Sequence, residues 1–190
     1  MSKIDAEHEL KRMIESVMDS LPLVESHAFG SQRTTADWIE HEIRSRLIRL
    51  VQGFRPPGGP RRPGDVTWNH YHINIKSTDL TKDFHMPNLI SSENLWKLLE
   101  RGDEFVLLRL IHRDGKIEDW DFWNIQDISW DCLQIGALGT GQIQIKNATK
   151  PLTTGDDRPS WRQQWQSKMM DFYQREQTKI GKRLAKWSNR

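Results

Sequence analysis

The sequence predicts an α/β (α+β) fold, a central mixed β-sheet with helices packed on it. Three observations lead there. Periodicity runs helix, helix, strands, helix, strands, long helix along the chain. Residues 104–112 (Glu-Phe-Val-Leu-Leu-Arg-Leu-Ile-His) are nearly all apolar, which suits a central strand covered on both faces. The chain has 190 residues and no internal repeat, enough for one substantial core and a single domain over 1–190.

The elements follow in order. Residues 4–20 form an amphipathic helix with Ile4, Leu10, Ile14 and Val17 on one side. It ends before Leu21-Pro22, because a residue preceding proline is pushed out of helical geometry. A second helix runs from about Thr35 to Gln52, capped by Thr34 or Thr35 and ended by Gly53. Its apolar stripe is Ile39, Ile43, Leu47 and Leu50, and Glu40 and Glu42 flank that stripe on opposite sides. Residues 55–64 are a Pro/Gly-rich loop carrying Arg55, Arg61 and Arg62.

Two strands come next, 65–69 and 71–78, followed by irregular chain over 79–91. A short helix starts at Ser92, buries Leu95, Leu98 and Leu99, and stops at Gly102. After strand 104–112, Asp114-Gly115 makes a hairpin turn into a returning strand over 117–124. Residues 127–136 read as a short helix or turn and then an extended piece, and 141–146 as a strand. A polar loop over 148–158 leads to a long final helix, about 159–187.

Composition narrows the function. Hydrophobic residues make up 36% and charged residues 28% of the chain, and no run of about 18 apolar residues could span a membrane. The polar N-terminus does not resemble a secretory signal, and a single cysteine, Cys132, cannot make an internal disulfide. Both point to a cytoplasmic protein. Net charge is only +2, but the loop 55–62 and the final helix concentrate basic residues. Local basic patches on a near-neutral chain suit contact with phosphates at one face. Most of the nine tryptophans are expected in the core or an interface.

The segment 64–78 carries the chemistry. On its second strand Asn74 and Lys76 share one face, and Asp65 stands on the neighbouring strand. A hard cation such as Mg²⁺ takes oxygen ligands. Asp65 offers a carboxylate, Asn74 an amide oxygen and Ile75 a backbone carbonyl, while Lys76 could hold a nucleophilic water and developing charge. Taken alone, this spacing is more often the polar face of a surface strand.

Context changes that balance. Pro63-Gly64-Asp65 and Asn74-Ile75-Lys76 resemble the motifs of the PD-(D/E)XK nuclease superfamily, Pro-Asp on one strand and acid-x-Lys on the next. Ser77-Thr78 after the lysine is similar too, and Asn-Ile-Lys-Ser resembles the active-site strand of some type II restriction endonucleases. In the archaeal Holliday-junction resolvases of this superfamily, a helix glutamate lies eleven residues before a Gly-Phe. Glu42 has that spacing from Gly53-Phe54, with Glu40 as its rival. There are two departures: Gly64 separates Pro63 from Asp65, and Asn74 stands where an acid is usual, removing one negative charge.

The resemblance covers about residues 38–78. It implies a restriction-endonuclease-like fold, with N-terminal helices in 1–54, a catalytic sheet in 65–146 and a C-terminal helix over 159–187. It also implies an Mg²⁺-dependent endodeoxyribonuclease, with Mn²⁺ as a substitute, most simply a sequence-specific type II enzyme. Asp65, Asn74, Lys76 and Glu42 would be catalytic, and Asp65, Asn74, Ile75 and Glu42 the metal ligands. Double-stranded DNA would be the substrate, the protein would be a homodimer, and a cognate methyltransferase could be its functional partner. Expected DNA contacts are Arg55, Arg61, Arg62, Lys82, His85, Asn88, Ser91, Ser92, Asn94 and Lys97. Two alternatives stand beside this reading. One is a repair or recombination nuclease of the same fold; the other is a non-catalytic DNA-binding protein whose nuclease site has degenerated at Asn74.

Overall fold

A computed structural model describes residues 3–19, 32–58, 63–82, 86–114, 116–136 and 141–188. It contains helices α1 (Lys3–Asp19), α2 (Gln32–Leu50), α3 (Ser92–Glu100) and α4 (Arg158–Ser188). The strands are β1 (Val66–Trp68), β2 (Tyr71–Asp79), β3 (Asn88–Ser91), β4 (Glu104–Arg113), β5 (Lys116–Asn124), β6 (Leu133–Gly136) and β7 (Gln142–Ile145).

The strands form two sheets rather than the single one expected. The larger has the order β1-β2-β4-β5 and is mixed: β2 and β4 run parallel, while the outer pairs are antiparallel. The smaller, β3-β7-β6, is antiparallel. Its strand β3 falls in the segment read as irregular; four residues are too few to show a period. α2 begins at Gln32, so Thr34 and Thr35 lie within the helix rather than at its cap. Parallel strands need a long crossover, and β3 with α3 fills it between β2 and β4.

Two apolar layers enclose the larger sheet. On one face, Leu10 and Ile14 of α1 and Ile39, Ile43 and Leu47 of α2 pack with Ile73, Ile75, Val106, Leu108 and Leu110. On the other, Phe105 and Leu107 pack with α3, the smaller sheet, and Trp161 and Trp165 of α4. β4 is covered on both faces, which is why its sequence is nearly continuous in apolar residues. The one charge in the middle of β4, Arg109, is almost fully buried. Its guanidinium donates to the Asp121 carboxylate and to the carbonyls of Ala148 and Lys150, so the charge is paired.

The tryptophans divide as their surroundings dictate. Trp130 and Trp161 are interior, with Trp161 Nε1 donating to the Ile128 carbonyl at 2.9 Å and Trp130 Nε1 to the Trp161 carbonyl at 3.1 Å. Trp96 and Trp187 are exposed. Among the described residues no helix is long and apolar enough to cross a membrane.

Candidate active site

The site is built where the larger sheet leaves an edge open. β1 has only three residues and starts at Val66, opposite Ile73. Beyond Ile73, β2 continues to Asp79 with β4 on one side and, among the described residues, no strand on the other. Strand amides there need other acceptors. Two carboxylates supply them. Asp65 Oδ2 accepts from Ile75 N at 2.7 Å, and Glu40 Oε1 accepts from Ser77 N at 3.0 Å. In a strand the N–H and C=O of one residue point the same way, so the Ile75 carbonyl faces this edge as well.

Gly64 explains how Asp65 arrives there. Its φ is +84°, in the left-handed region that glycine favours. A Cβ at this position would lie 3.1 Å from the Ile73 carbonyl oxygen and 3.2 Å from the His72 carbonyl carbon. The glycine that interrupts Pro-Asp thus lets the chain run flat against β2, where Asp65 N donates to Ile73 O at 2.7 Å. His72 supports the approach: its Nδ1 lies 3.2 Å from the Pro63 carbonyl and its Nε2 3.5 Å from Asp103 Oδ2. This is a positioning role.

The helix acid at the site is Glu40. Lys76 Nζ donates to Glu40 Oε2 at 2.9 Å, and Ser77 Oγ donates to the Ala36 carbonyl at 3.3 Å, tying α2 to the edge of β2. Glu42, the residue chosen by spacing, instead pairs with Arg46 at 2.7 Å along the helix. The helical wheel accounts for the difference. At about 100° per residue, Glu40 lies roughly 65° from the centre of the Ile39–Leu50 stripe and Glu42 roughly 95° to the other side. The more inward glutamate reaches the sheet. That signal was present in the sequence and competed with the spacing to Gly53-Phe54.

The electrostatics are those of a crowded, partly dry site. Burial raises the Glu40 carboxyl above the ordinary range, and the charge of Asp65 pushes the same way. The Lys76 ammonium and the Ser77 N–H oppose both without cancelling them. Asn74 is buried, and its Nδ2 donates to Asp65 Oδ2 at 3.1 Å. Because an ionised carboxylate only accepts, the amide nitrogen must face Asp65, which leaves Oδ1 on the other side. That Oδ1 is buried and has no partner among the described residues. Sharing an oxygen-seeking cation with Asp65 would require the Asn74 amide to turn this oxygen toward the carboxylate.

The expected DNA contacts scatter. Arg55 is exposed and bridges to Thr67 at the outer edge of β1, and Lys82 is exposed just after β2. Arg61, Arg62 and His85 lie outside the described residues. Asn88 accepts from Gln144 Nε2 at 2.6 Å, and Ser91 caps α3 through Asn94 N, leaving Asn94 half-buried. Lys97 is exposed and pairs with Glu93. Ser92 is a correction: it is buried, with Oγ 2.8 Å from Met169 Sδ on α4, so it cannot reach a base edge.

No family model matches this chain, and no curated protein matches it.

Proposed function

We propose that the protein is a divalent-metal-dependent endodeoxyribonuclease related to type II restriction enzymes. The observation that carries this reading is the convergence of Asp65, Asn74, Glu40 and Lys76 at the open edge of β2. Asp65, the Asn74 amide oxygen and the Ile75 carbonyl would hold Mg²⁺, with Glu40 as the nearby second acid. The cation, when bound, lowers the pKa of water and neutralises charge on a phosphate.

The protein's own groups do the rest. Asn74 orients the Asp65 carboxylate through its Nδ2–H. Ile75 N–H and Ser77 N–H fix both acids on one strand, so neither needs to reorganise when the phosphate arrives. Lys76 is held by Glu40 and would supply a cation where charge builds on the phosphate oxygens. Among the described residues no group of three or more His, Cys, Asp or Glu side chains is arranged around a metal site. The proposed donor set therefore depends on a neutral amide and a backbone carbonyl. Sequence preference and pairing of two copies on a palindrome belong to the same proposal.

A second reading has its own support. Asn74 lacks the usual charge, and Lys76 is already neutralised by Glu40, as expected of a DNA-binding protein that no longer cuts. One experiment separates the two. Phage DNA is incubated with the protein and Mg²⁺, then with Mn²⁺. Discrete fragments with 5′-phosphate ends support the restriction reading. Preferential cutting of a four-way junction supports a structure-specific nuclease, and DNA binding without cutting under either metal sinks the enzyme.

A further inference from the structure

The final helix changes character half-way along. Its inner stripe, Trp161, Trp165, Met169 and Phe172, lies against the body. Followed at helical spacing, that stripe next meets Glu176, Lys179 and Arg183, which are charged. The apolar residues move instead to a face rotated by roughly 100°. Met170, Tyr173, Ile180, Leu184 and Trp187 are 63%, 52%, 55%, 55% and 69% exposed. With Gln177 they are spaced 3, 4, 3, 4, 3, the a/d pattern of a coiled-coil seam, over about 27 Å of helix.

We propose that this seam pairs with the same seam of a second copy, antiparallel, forming a two-helix coiled coil. Antiparallel packing places Met170 against Trp187 of the partner subunit, Tyr173 against the partner's Leu184 and Gln177 against the partner's Ile180. The flanking charges choose the direction. Glu176 and Arg183 occupy successive g positions, and antiparallel helices bring g beside g, so each Glu176 meets the partner's Arg183. Glu176 already pairs with Lys179 of its own helix at 2.6 Å, and the second cation would complete a small network. In a parallel pair Glu176 would face the partner's Gly181, which carries no charge.

Gly181 fits the same arrangement. It sits in mid-helix, where glycine is unfavourable by about 1 kcal/mol relative to alanine, and nothing lies within 4 Å of a Cβ built there. Near the centre of an antiparallel pair, a missing side chain lets the backbones approach. Tyr173 and Trp187 each bring roughly 150–250 Å² of surface, so the seam sits toward the lower end of specific interfaces. A dimer that dissociates on dilution is expected. The seam is argued from α4 alone and no residue of the Asp65–Lys76 site takes part, so it stands or falls apart from the nuclease chemistry, although that reading also expects two copies.

The test is the mass of the full chain in solution, by light scattering or sedimentation, over roughly a hundredfold concentration range. The expected result is a shift from 22.4 kDa toward twice that mass. It should be abolished by Ile180→Asp with Leu184→Asp, whose thermal midpoint should match that of the wild type diluted to monomer, since both residues are exposed there. In a Cys132→Ser background, Gln177→Cys and Ile180→Cys chains should form a disulfide when mixed, and neither should do so alone. A wild-type chain that stays monomeric throughout overturns the proposal. So does a dimer indifferent to the aspartates, self-crosslinking by each cysteine variant alone, or a monomer whose seam is taken up by anionic phospholipid vesicles.

Discussion

Lys76 Nζ and Glu40 Oε2 stand 2.9 Å apart, thirty-six residues distant in sequence. Both side chains are about four-fifths shielded from solvent, at 20% and 19% exposure. The pair joins α2 to the open edge of β2. It makes Glu40 the helix acid beside Asp65, while Glu42 pairs with Arg46 along α2.

The two glutamates should therefore separate in kinetics. Glu40→Gln keeps an acceptor for Ser77 N–H but removes the charge beside Lys76. DNA cutting should fall by about 10–100-fold, the usual loss when a partner of a metal site is removed. Glu42→Gln loses one i,i+4 ion pair and should cut within a few-fold of wild type. Initial rates on one plasmid substrate decide it, and equal losses would break the assignment to Glu40.

Lys76→Ala tests the proposed stabilisation of charge. The expected loss in cutting rate is about 10²–10³-fold, with DNA affinity nearly unchanged. A gel-shift titration in Ca²⁺ alongside the cutting assay gives both numbers. A variant that still cuts at the wild-type rate would remove Lys76 from the chemistry.

Asn74→Asp restores the acid usual in the resembled motif and places it against Asp65. The 3.1 Å hydrogen bond from Nδ2 becomes a repulsion between carboxylates. Without divalent metal the melting temperature should drop; for about 1 kcal/mol in a domain near this size the shift is about 2–4 °C. Added Mg²⁺ should raise the variant's melting temperature more than the wild type's. Equal Mg²⁺ responses in scanning calorimetry would show that no cation binds between these residues.

Gly64→Ala and Gly102→Ala compare two positive-φ glycines. At Gly102, φ is +79° with open space around a Cβ, so only the left-handed penalty of about 1 kcal/mol applies. At Gly64 the same penalty is joined by backbone at 3.1–3.2 Å, which the chain relieves only by lifting Asp65 off β2. Urea unfolding should show the larger loss at Gly64, about 2–3 kcal/mol, and cutting should fail with it.

His112 makes stability depend on pH. It is fully buried at the end of β4, and neither ring nitrogen has a partner among the described residues. Burial lowers its pKa below the usual value, against the pull of Asp79 and Asp114. Above about pH 6.5 both folded and unfolded states hold it neutral. As pH falls through that value the unfolded chain takes up a proton that the folded chain refuses, so stability is lost toward acid. His112→Phe should flatten the fall in urea midpoint between about pH 7 and 5.5, provided it folds. Asp79, held below its usual value by its bonds from Thr81, adds to acid loss at lower pH in both proteins.

Much of the architecture was legible because local physics writes it plainly. The stripe of Leu10, Ile14 and Val17 has the spacing of an amphipathic helix, and the run Val106–Ile111, closed by a turn at Asp114, suits a strand covered on both faces. The placing of Asp65 beside the Asn74–Lys76 strand also followed from alternation and a short turn between two strands, although β1 itself starts at Val66 and the turn takes in Asn69. The strand Asn88–Ser91 and the split into two sheets did not, because pairing partners lie far apart in sequence and a short strand carries no period.

What the sequence by itself determined is which residues could do chemistry: an acid, an amide and a lysine within twelve positions, Asp65 to Lys76, with two glutamates one helix away. Only the tertiary structure decided which glutamate joins them, why a glycine must precede Asp65, and that Ser92 is buried beneath α4. Each decision depends on a contact between distant segments: the angle at which α2 crosses β2, the closeness of Gly64 to Ile73, and the seating of Met169 on Ser92. Periodicity fixes which way a side chain faces along its own element, but it carries no record of what packs against that face.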